Sequence, residues 1–396
     1  MKLHRNVWAT SVASFLTDVS SEMIWNVLPL FLSNVLGARM TVVGLIEGAG
    51  ESLSSLLKVF SGFLSDRYSN RKKLAVSGYG LSTVAKPLLY FATTWGTVLA
   101  VRVTDRIGKG IRTAPRDALL ASSVPTDQRG FAFGLHRAAD TAGAFVGLVA
   151  AGAVVWLTQR GGLELERATF QTLVFWGAIP AAIAVLVLAL AAKEVGTSRP
   201  TSRPRLTLEG FDPEFRRFLL AEAVFTLGNS ADAFLVLRAQ ERGLSVLGIL
   251  AMLAGFNLVY ALLSVPAGRW SDRLGRRRVI VVGWLSYAVI YLGFALAEGV
   301  EHIVPLYVAY GCYHGLTDGV ARAYVADVSA EDKRGTAFGL FHAAIGAVAL
   351  PSSLLAGLLW QNIGPSAPFW IGATLALLAT FLLLAPFSRL TTARRL

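Results

Sequence analysis

Stretches of apolar residues long enough to cross a bilayer recur along almost the whole chain, and no other feature limits its possible folds so severely. A hydrocarbon layer takes roughly 20 residues of helix to span, and it offers no water to exposed backbone N–H and C=O groups. Runs of that length therefore read as helices. The first leads from the MKLHRN terminus through Leu32, and others cover about Val42 to Leu64, Leu74 to Thr94, Thr97 to Ser122, Phe131 to Leu157 and Phe170 to Ala192. After a break they resume at about Phe218 to Ala239, Ser245 to Trp270, Val279 to Leu296, Val304 to Val328, Thr336 to Trp360 and Phe369 to Leu384. About twelve membrane helices are expected, and the fold class is all-α integral membrane. The first run carries Asp18 and Glu22 and outlasts the apolar core of a cleavable signal, which predicts a retained span.

Composition agrees, since 54% hydrophobic and only 16% charged residues in a chain of 396 are outside the range of ordinary soluble domains. A net charge of +12 would suit a nucleic-acid binder, but the basic residues sit in short clusters between apolar runs rather than in one patch. No nucleic-acid partner is expected; the bilayer is. Lys2 and Arg5, Arg67 to Lys73, Arg129, Lys193 to Arg217, Arg273 to Arg278, Lys333 and Arg334, and Arg389 to Arg395 all fall on one side. The positive-inside rule makes that side cytoplasmic, with both termini there and the protein in the cytoplasmic (inner) membrane. Cys312 stands alone, which excludes an internal disulfide and a thiolate metal cluster. No phosphate-binding G-x-x-x-x-G-K-[ST] loop occurs, so a primary pump is not expected, and neither is any cofactor.

One span breaks the apolar pattern. At helical spacing Arg102, Asp105, Arg106, Lys109, Arg112, Arg116 and Asp117 fall within an arc of roughly 140°, opposite Val101, Val103, Ile107, Gly110, Ile111 and Ala114. A Lys or Arg facing lipid at mid-bilayer costs roughly 2.5 to 3.5 kcal/mol, so Arg102, Arg106 and Lys109 together would cost on the order of 8 to 10. They must instead face a water-filled cavity or acidic partners. Asp18 and Glu22 lie one turn apart in the first span, Glu47, Glu51, Ser54 and Lys58 form a stripe in the second, and Lys86 sits mid-span in the third. The simplest network sets Asp18, Glu22 and Glu51 against Arg106, Lys109 and Lys86.

The chain also repeats itself. Gly62-Phe-Leu-Ser-Asp66-Arg67-Tyr-Ser-Asn-Arg71-Lys72-Lys73 matches Gly268-Arg-Trp-Ser-Asp272-Arg273-Leu-Gly-Arg-Arg277-Arg278, each ending the second span of its half. A second block, Arg129-Gly130-Phe-Ala-Phe-Gly134-Leu135, recurs as Arg334-Gly335-Thr-Ala-Phe-Gly339-Leu340. Two parallel six-helix halves are expected, residues 1–192 and 214–396, joined by a polar, proline-bearing cytoplasmic linker at 193–213. The repeat pairs the charged fourth span with the plainly membrane-spanning Val304 to Val328.

These motifs make the chain resemble the major facilitator superfamily over essentially its whole length. The family's loop motif, G-x-x-x-D-R-x-G-R-[RK], is nearly complete in the second half, while the first has Tyr68-Ser69-Asn70 across the glycine position. The fourth-helix motif R-x-x-Q-G-x-x-x-A is matched by Arg106-Ile-Gly-Lys109-Gly110-Ile-Arg-Thr-Ala114, with lysine where glutamine is usual. The fifth-helix glycine-proline motif of drug–proton antiporters is only partly present, as Gly143 and Gly147 followed by Leu148. The resemblance implies two pseudo-symmetric six-helix bundles around a central cavity, alternating access, and a monomer. It also implies that the first, fourth, seventh and tenth helices line that cavity.

On this reading Arg102, Arg106, Lys109, Asn229, Asp232, His314 and Asp318 are the expected substrate-binding residues, and Asp18, Glu22, Glu51 and Asp105 the expected proton carriers. An Asp at a helix end can accept hydrogen bonds from the N–H groups that start a neighbouring helix, so Asp66 and Asp272 are expected as latches between halves. Gly62, Arg67, Arg71, Gly268, Arg273, Arg129 and Arg334 complete the expected gating set. His314, Asp318, Asp232 and His342 could supply metal ligands, but no tight motif unites them and the arginines repel cations, so no metal site is expected. The expected function is secondary active transport of a small organic solute, coupled to protons, in the export or exchange direction, and not enzymatic catalysis. The alternative is uptake or exchange of an organic anion or phosphate ester; a transition-metal exporter and a lipid-handling protein are weaker readings.

Overall fold

The structure, a computed structural model, describes residues 4–67, 70–125, 129–160, 162–195, 207–330 and 333–385; at 61–67 and 129–130 it describes the backbone alone. Twelve long helices account for the twelve expected spans, three of them interrupted. The first half holds α1 (Arg5–Trp25, continued by Leu28–Leu30 and a π-helical turn at Phe31–Val35), α2 (Met40–Arg67), α3 (Arg71–Ala85, tightening to a 3-10 stretch at Lys86–Phe91), α4 (Trp95–Ser122), α5 (Arg129–Gln159) and α6 (Arg167–Ala191). The second holds α7 (Pro213–Gly228, resumed at Ala233–Glu241), α8 (Val246–Leu274), α9 (Arg276–Leu296), α10 (Val300–Asp327), α11 (Arg334–Asn362) and α12 (Ala367–Leu384).

Local chemistry explains the ends. Asp212 accepts a hydrogen bond from the Glu214 N–H at 2.7 Å, with Pro213 occupying the first helical position of α7 where its missing N–H is not needed. Thr94 and Ser245 cap α4 and α8 in the same way. The two copies of the loop motif start their following helices differently. In the second half Gly275 takes φ 93°, a left-handed turn that suits glycine. In the first, the Asn70 side chain accepts from the Lys73 N–H at 3.0 Å, so a side-chain cap begins α3 there.

Within the first half α1 packs on α5 and α6, and α4 on α2 and α3; within the second α9 packs on α10 and α12, α8 on α10, and α12 on α7. The α3–α4 contact is close: a Cβ on Gly108 would lie 2.6 Å from the Gly78 carbonyl oxygen. The halves meet along two seams, α2 against α11 and α5 against α8. On the first, Gly44 rides on the backbone of Ser353, and Ser52 Oγ donates to the Gly346 carbonyl at 2.6 Å. On the second, Arg137 Nη2 donates to Tyr260 Oη at 3.3 Å. The helices are therefore two six-helix bundles in contact, as expected.

Among the described residues seven helices, α5 to α9, α11 and α12, are apolar and long enough by composition alone to cross a membrane. The other five are the interrupted α1 and α3 and the polar α2, α4 and α10. Four of those five, α1, α2, α4 and α10, enclose the central cavity, so the apolar signal is weakest where the helices turn polar side chains inwards.

The gating set is only partly described. The side chains of Gly62, Asp66, Arg67 and Arg129 lie outside the described residues. Among the described residues Asp272 has no bridge to the other half: its Oδ1 lies 2.7 Å from Arg276 Nη1, and Arg276 Nε lies 2.7 Å from Asp327 Oδ2, so the acid is clamped between α8, α9 and α10 of its own bundle. Among the described residues a Cβ on Gly268 would meet nothing within 4 Å, so no described helix presses on that glycine. Arg71 Nη1 donates to Ser122 Oγ at 3.1 Å, Arg334 Nε to the Ala326 carbonyl at 3.3 Å, and Arg273 is exposed.

Candidate transport cavity

The charged arc of α4 faces inwards. Arg102, Asp105, Arg106 and Arg112 are each less than one-tenth exposed, and together with Lys109 they line a cavity of about 650 Å³ between the two bundles. The opposite, glycine-bearing face of α4 packs on α3 and α2, with Leu57 against Gly110. Helical periodicity thus sorts one helix into a packing face and a charged face, and the insertion penalty of the charges is avoided because they never meet lipid.

All eleven residues expected to bind substrate or protons line this one cavity: Arg102, Arg106, Lys109, Asn229, Asp232, His314, Asp318, Asp18, Glu22, Glu51 and Asp105. The pairings among them differ from the simplest network. Arg102 takes Glu47 as its partner through Nη2 and Oε2, both side chains being less than one-tenth exposed, and its guanidinium lies 4.5 Å from the Trp25 ring centre. Arg106 lies 3.8 Å from Glu51 and 3.7 Å from Asp105. Lys86 meets no acid: its ammonium donates to Ser20 and Ser21 at 2.9 and 3.0 Å, holding α3 against α1 just behind the cavity wall. Glu22 accepts from Asn26 at 2.6 Å. Four guanidinium nitrogens on this wall, Arg102 Nε and Nη1, Arg106 Nε and Arg112 Nη1, are buried without a hydrogen-bond partner among the described residues.

The wall facing α4 is of different material. Tyr307, Tyr310 and Tyr313 of α10 line it, with the Tyr310 and Tyr313 rings stacked 5.4 Å apart. Tyr310 Oη donates to Asp232 Oδ1 at 3.0 Å, and Asn229 Nδ2 donates to Tyr313 Oη at 3.3 Å. Both polar partners come from the interruption of α7, where the break after Gly228 turns Asn229 and Asp232 into the cavity. His314 Nδ1 lies 3.4 Å from Asp318 Oδ1, and Tyr260 Oη donates to Asp318 Oδ2 at 3.1 Å. Glu222, Arg322 and His342 also line this side.

Several lining residues were not among those expected to act: Trp25, Glu222, Arg322 and the α10 tyrosines. Tyr307, Tyr310, Tyr313 and His314 stand at i, i+3, i+6 and i+7, a helical stripe that could have been read with α4's arc. Glu47 was visible in the α2 stripe, but nothing in one dimension says that Arg102 rather than Arg106 would claim it. Among the described residues no group of three His, Cys, Asp or Glu side chains is placed to hold a metal ion.

The cavity is sealed at the face opposite the N-terminus. There Asn34 and Gln240 exchange side-chain hydrogen bonds at 3.1 and 2.8 Å, Gln240 Nε2 also donates to the Leu163 carbonyl at 2.8 Å, and the Val246 N–H donates to the Gly162 carbonyl at 3.3 Å. Each of these bonds joins one bundle to the other.

With this geometry in view, the comparisons with known proteins are specific. The sequence profile of the Major Facilitator Superfamily matches residues 10–236 and 218–395. An uncharacterised MFS-type transporter of Methanocaldococcus jannaschii is 35% identical over 389 residues, covering 97% of this chain and 95% of its own. Among solved structures, the nucleoside transporter NupG superposes with a TM-score of 0.76 at 13% identity, over 96% of this chain and 100% of that one. A POT family transporter in complex with 5-aminolevulinic acid gives 0.79 at 12% identity, over 96% of each chain.

Proposed function

The chain belongs to the Major Facilitator Superfamily, and from that premise we propose that its cavity carries a small organic solute bearing an anionic group, with protons moving alongside. As a secondary transporter it exposes the cavity alternately to the two faces of the membrane. The observation that carries the proposal is the set of buried guanidinium nitrogens on Arg102, Arg106 and Arg112 that have no hydrogen-bond partner among the described residues. A carboxylate or phosphate supplies paired acceptors in the geometry that guanidinium forks prefer, and Lys109, whose ammonium has no ion pair or hydrogen bond among the described residues, supplies a further charge.

The sign of the coupling follows from charge balance. Glu51 and Asp105 face Arg106. A solute anion arriving at Arg106 and Lys109 competes for those cations, and a carboxylate deprived of its arginine is neutralised by a proton. Asp18, Glu22, Glu51 and Asp105 are the candidates. When the anion leaves, the carboxylate recovers its partner and releases the proton. Anion and proton therefore travel together, and the gradient drives uptake. Export or exchange against protons, the direction expected from the sequence, would require a solute whose charged group is a cation competing with the proton for the same acids.

We further assign Asn229, Asp232, His314 and Asp318 to the opposing substrate wall, and the two loop motifs, with Arg129 and Arg334, to gating. Residues 1–192 and 214–396 act as the two moving bodies, linked by 193–213, in a monomer with both termini cytoplasmic, so that the sealed face is the outer one. Proteoliposomes holding an internal pH dye test the central proposal, challenged with matched organic anions and lipophilic cations, wild type beside Asp18→Asn. Anions should acidify the lumen. A response to cations alone, or to neither, would overturn it.

A further inference from the structure

We propose that the wall built by α7 and α10 is an ammonium subsite, so that the solute is a small zwitterion whose anionic end lies on α4 and whose amino end lies against Asp232 and Glu222. The inference rests on the anion reading of α4 and adds the second end of the molecule. It begins from a difference in how the acids of this wall are engaged. Asp318 is occupied on both oxygens, by His314 and by Tyr260. Asp232 gives only Oδ1 to Tyr310, at 3.0 Å, and Oδ2 has no partner among the described residues. Glu222, one helical segment before it, lines the same cavity with no hydrogen bond or ion pair among the described residues. Two carboxylates thus face the cavity with free acceptor oxygens.

The aromatic residues around them point to the same ligand. Tyr307, Tyr310 and Phe256 crowd together, with the Phe256 centroid 5.5 Å from Tyr307 and 5.6 Å from Tyr310. Aromatic faces beside a carboxylate are the surroundings that receive a compact cation, since the negative ring face adds to the charge of the acid. They suit an ammonium group better than a second anion, which both the acids and the ring faces would repel. The fixed charges lining this half agree: Glu222, Asp232 and Asp318 are set against Arg322 as the one Lys or Arg among the described lining residues of α7 to α12. Across the cavity, α4 presents guanidinium nitrogens that lack acceptors. A volume of about 650 Å³ holds a molecule of amino-acid or short-peptide size that reaches both walls.

The arrangement also gives the solute work that neither wall could do alone. The two walls belong to different bundles, so a molecule charged oppositely at its two ends ties one bundle to the other, whereas a simple anion satisfies α4 and leaves α7 unengaged. Binding energy that depends on both walls is realised only when the bundles stand at the right separation.

Binding to the purified protein, followed as ligand-induced thermal stabilisation, tests the subsite with a panel of α- and ω-amino acids, their N-acetyl derivatives and their carboxamides. Amino acids should stabilise the protein, while removing either charge should weaken binding by roughly tenfold or more and shrink the shift accordingly. If N-acetyl derivatives bind as well as their parents, the ammonium subsite is wrong and the anion reading stands. If carboxamides bind as well as their parents, the anion reading itself fails. Silence from the whole panel overturns the zwitterion. Asp232→Asn should cut the preference for amino acids over their N-acetyl derivatives by roughly tenfold while leaving the N-acetyl derivatives unaffected, as expected when a charge-assisted hydrogen bond is lost. A loss shared equally by both would mean a merely structural role. Glu222→Gln repeats the test if that variant does not fold.

Discussion

The two walls of the cavity occupy corresponding places in the two bundles, yet they handle polarity in opposite ways. On the α4 wall, charge is dense and partly compensated: Arg102 is held by Glu47 and Arg106 sits between Glu51 and Asp105, while four guanidinium nitrogens remain without acceptors. On the α10 wall, charge is sparser and hydroxyls and amides brace it, as between Tyr310, Asp232, Asn229 and Tyr313, while Glu222 and one oxygen of Asp232 stay open to the cavity. Pseudo-symmetry dictates which helices enclose the cavity because it dictates packing. It leaves the inward-facing side chains free, since these press on no neighbour. A wall dense in buried charge has its stability and its transport tied together, whereas a wall braced by hydroxyls can lose one of them with milder consequences.

The comparison is broken most directly by Arg106→Ala. This change should lower transport about 100-fold or more, equivalent to roughly 2.7 kcal/mol of lost stabilisation, while the protein stays folded by circular dichroism. Retained turnover in proteoliposomes would remove α4 from the mechanism. Arg102→Ala should act on stability as well as on transport. It strands Glu47 in a buried site, and breaking a buried pair costs about 3 to 5 kcal/mol, readable as a fall in melting temperature. The double variant Arg102→Leu with Glu47→Leu should recover most of that loss; failure to recover would mean that Arg102 is held by Trp25 more than by Glu47.

Smaller effects sharpen the contrast. Asp18→Asn should flatten the pH dependence of transport without moving solute affinity more than a few-fold, and an unchanged pH profile would shift the proton to Glu22, Glu51 or Asp105. On the other wall, Tyr310→Phe removes a hydrogen bond to a carboxylate, a change of about 1.5 kcal/mol or roughly tenfold in solute affinity by equilibrium binding, with melting temperature little altered. The smallest effect is expected for Asp272→Asn. Its partner Arg276 keeps Asp327, and the side chain is 62% exposed, so the melting temperature should hardly change, and a gating role is read as a loss of turnover instead. A large loss there would mean that Asp272 finds a second partner in the other conformation of the transport cycle.

Much of this could be read in one dimension because its physical causes are local. The arc of α4 was legible from residue spacing alone, since a helix in lipid must turn its charges away from it, and the loop repeats announced two bundles. Asp232 and Asn229 were legible as polar residues in an apolar span, but not the break in α7 that turns them into the cavity. Lys86 illustrates the limit from the other side: as a mid-span lysine it seemed to call for an acid, and it is instead satisfied by two serine hydroxyls on α1. Tyr310 was overlooked because a tyrosine in a membrane helix is ordinary, and its meaning depends on Asp232, 78 positions earlier in the chain.

The sequence by itself determined that the chain lies in a membrane as two related sets of six helices, and that the fourth span faces away from lipid. Those outcomes follow from backbone hydrogen bonding and from the cost of charge in hydrocarbon, and both act within a single helix. Only the tertiary structure decided which acid holds which arginine, which guanidinium nitrogens are left without acceptors, and which face of the cavity is sealed. These depend on the rotation and depth of helices packed from distant parts of the chain, where a shift of one turn exchanges one partner for another while the hydrophobic pattern stays the same.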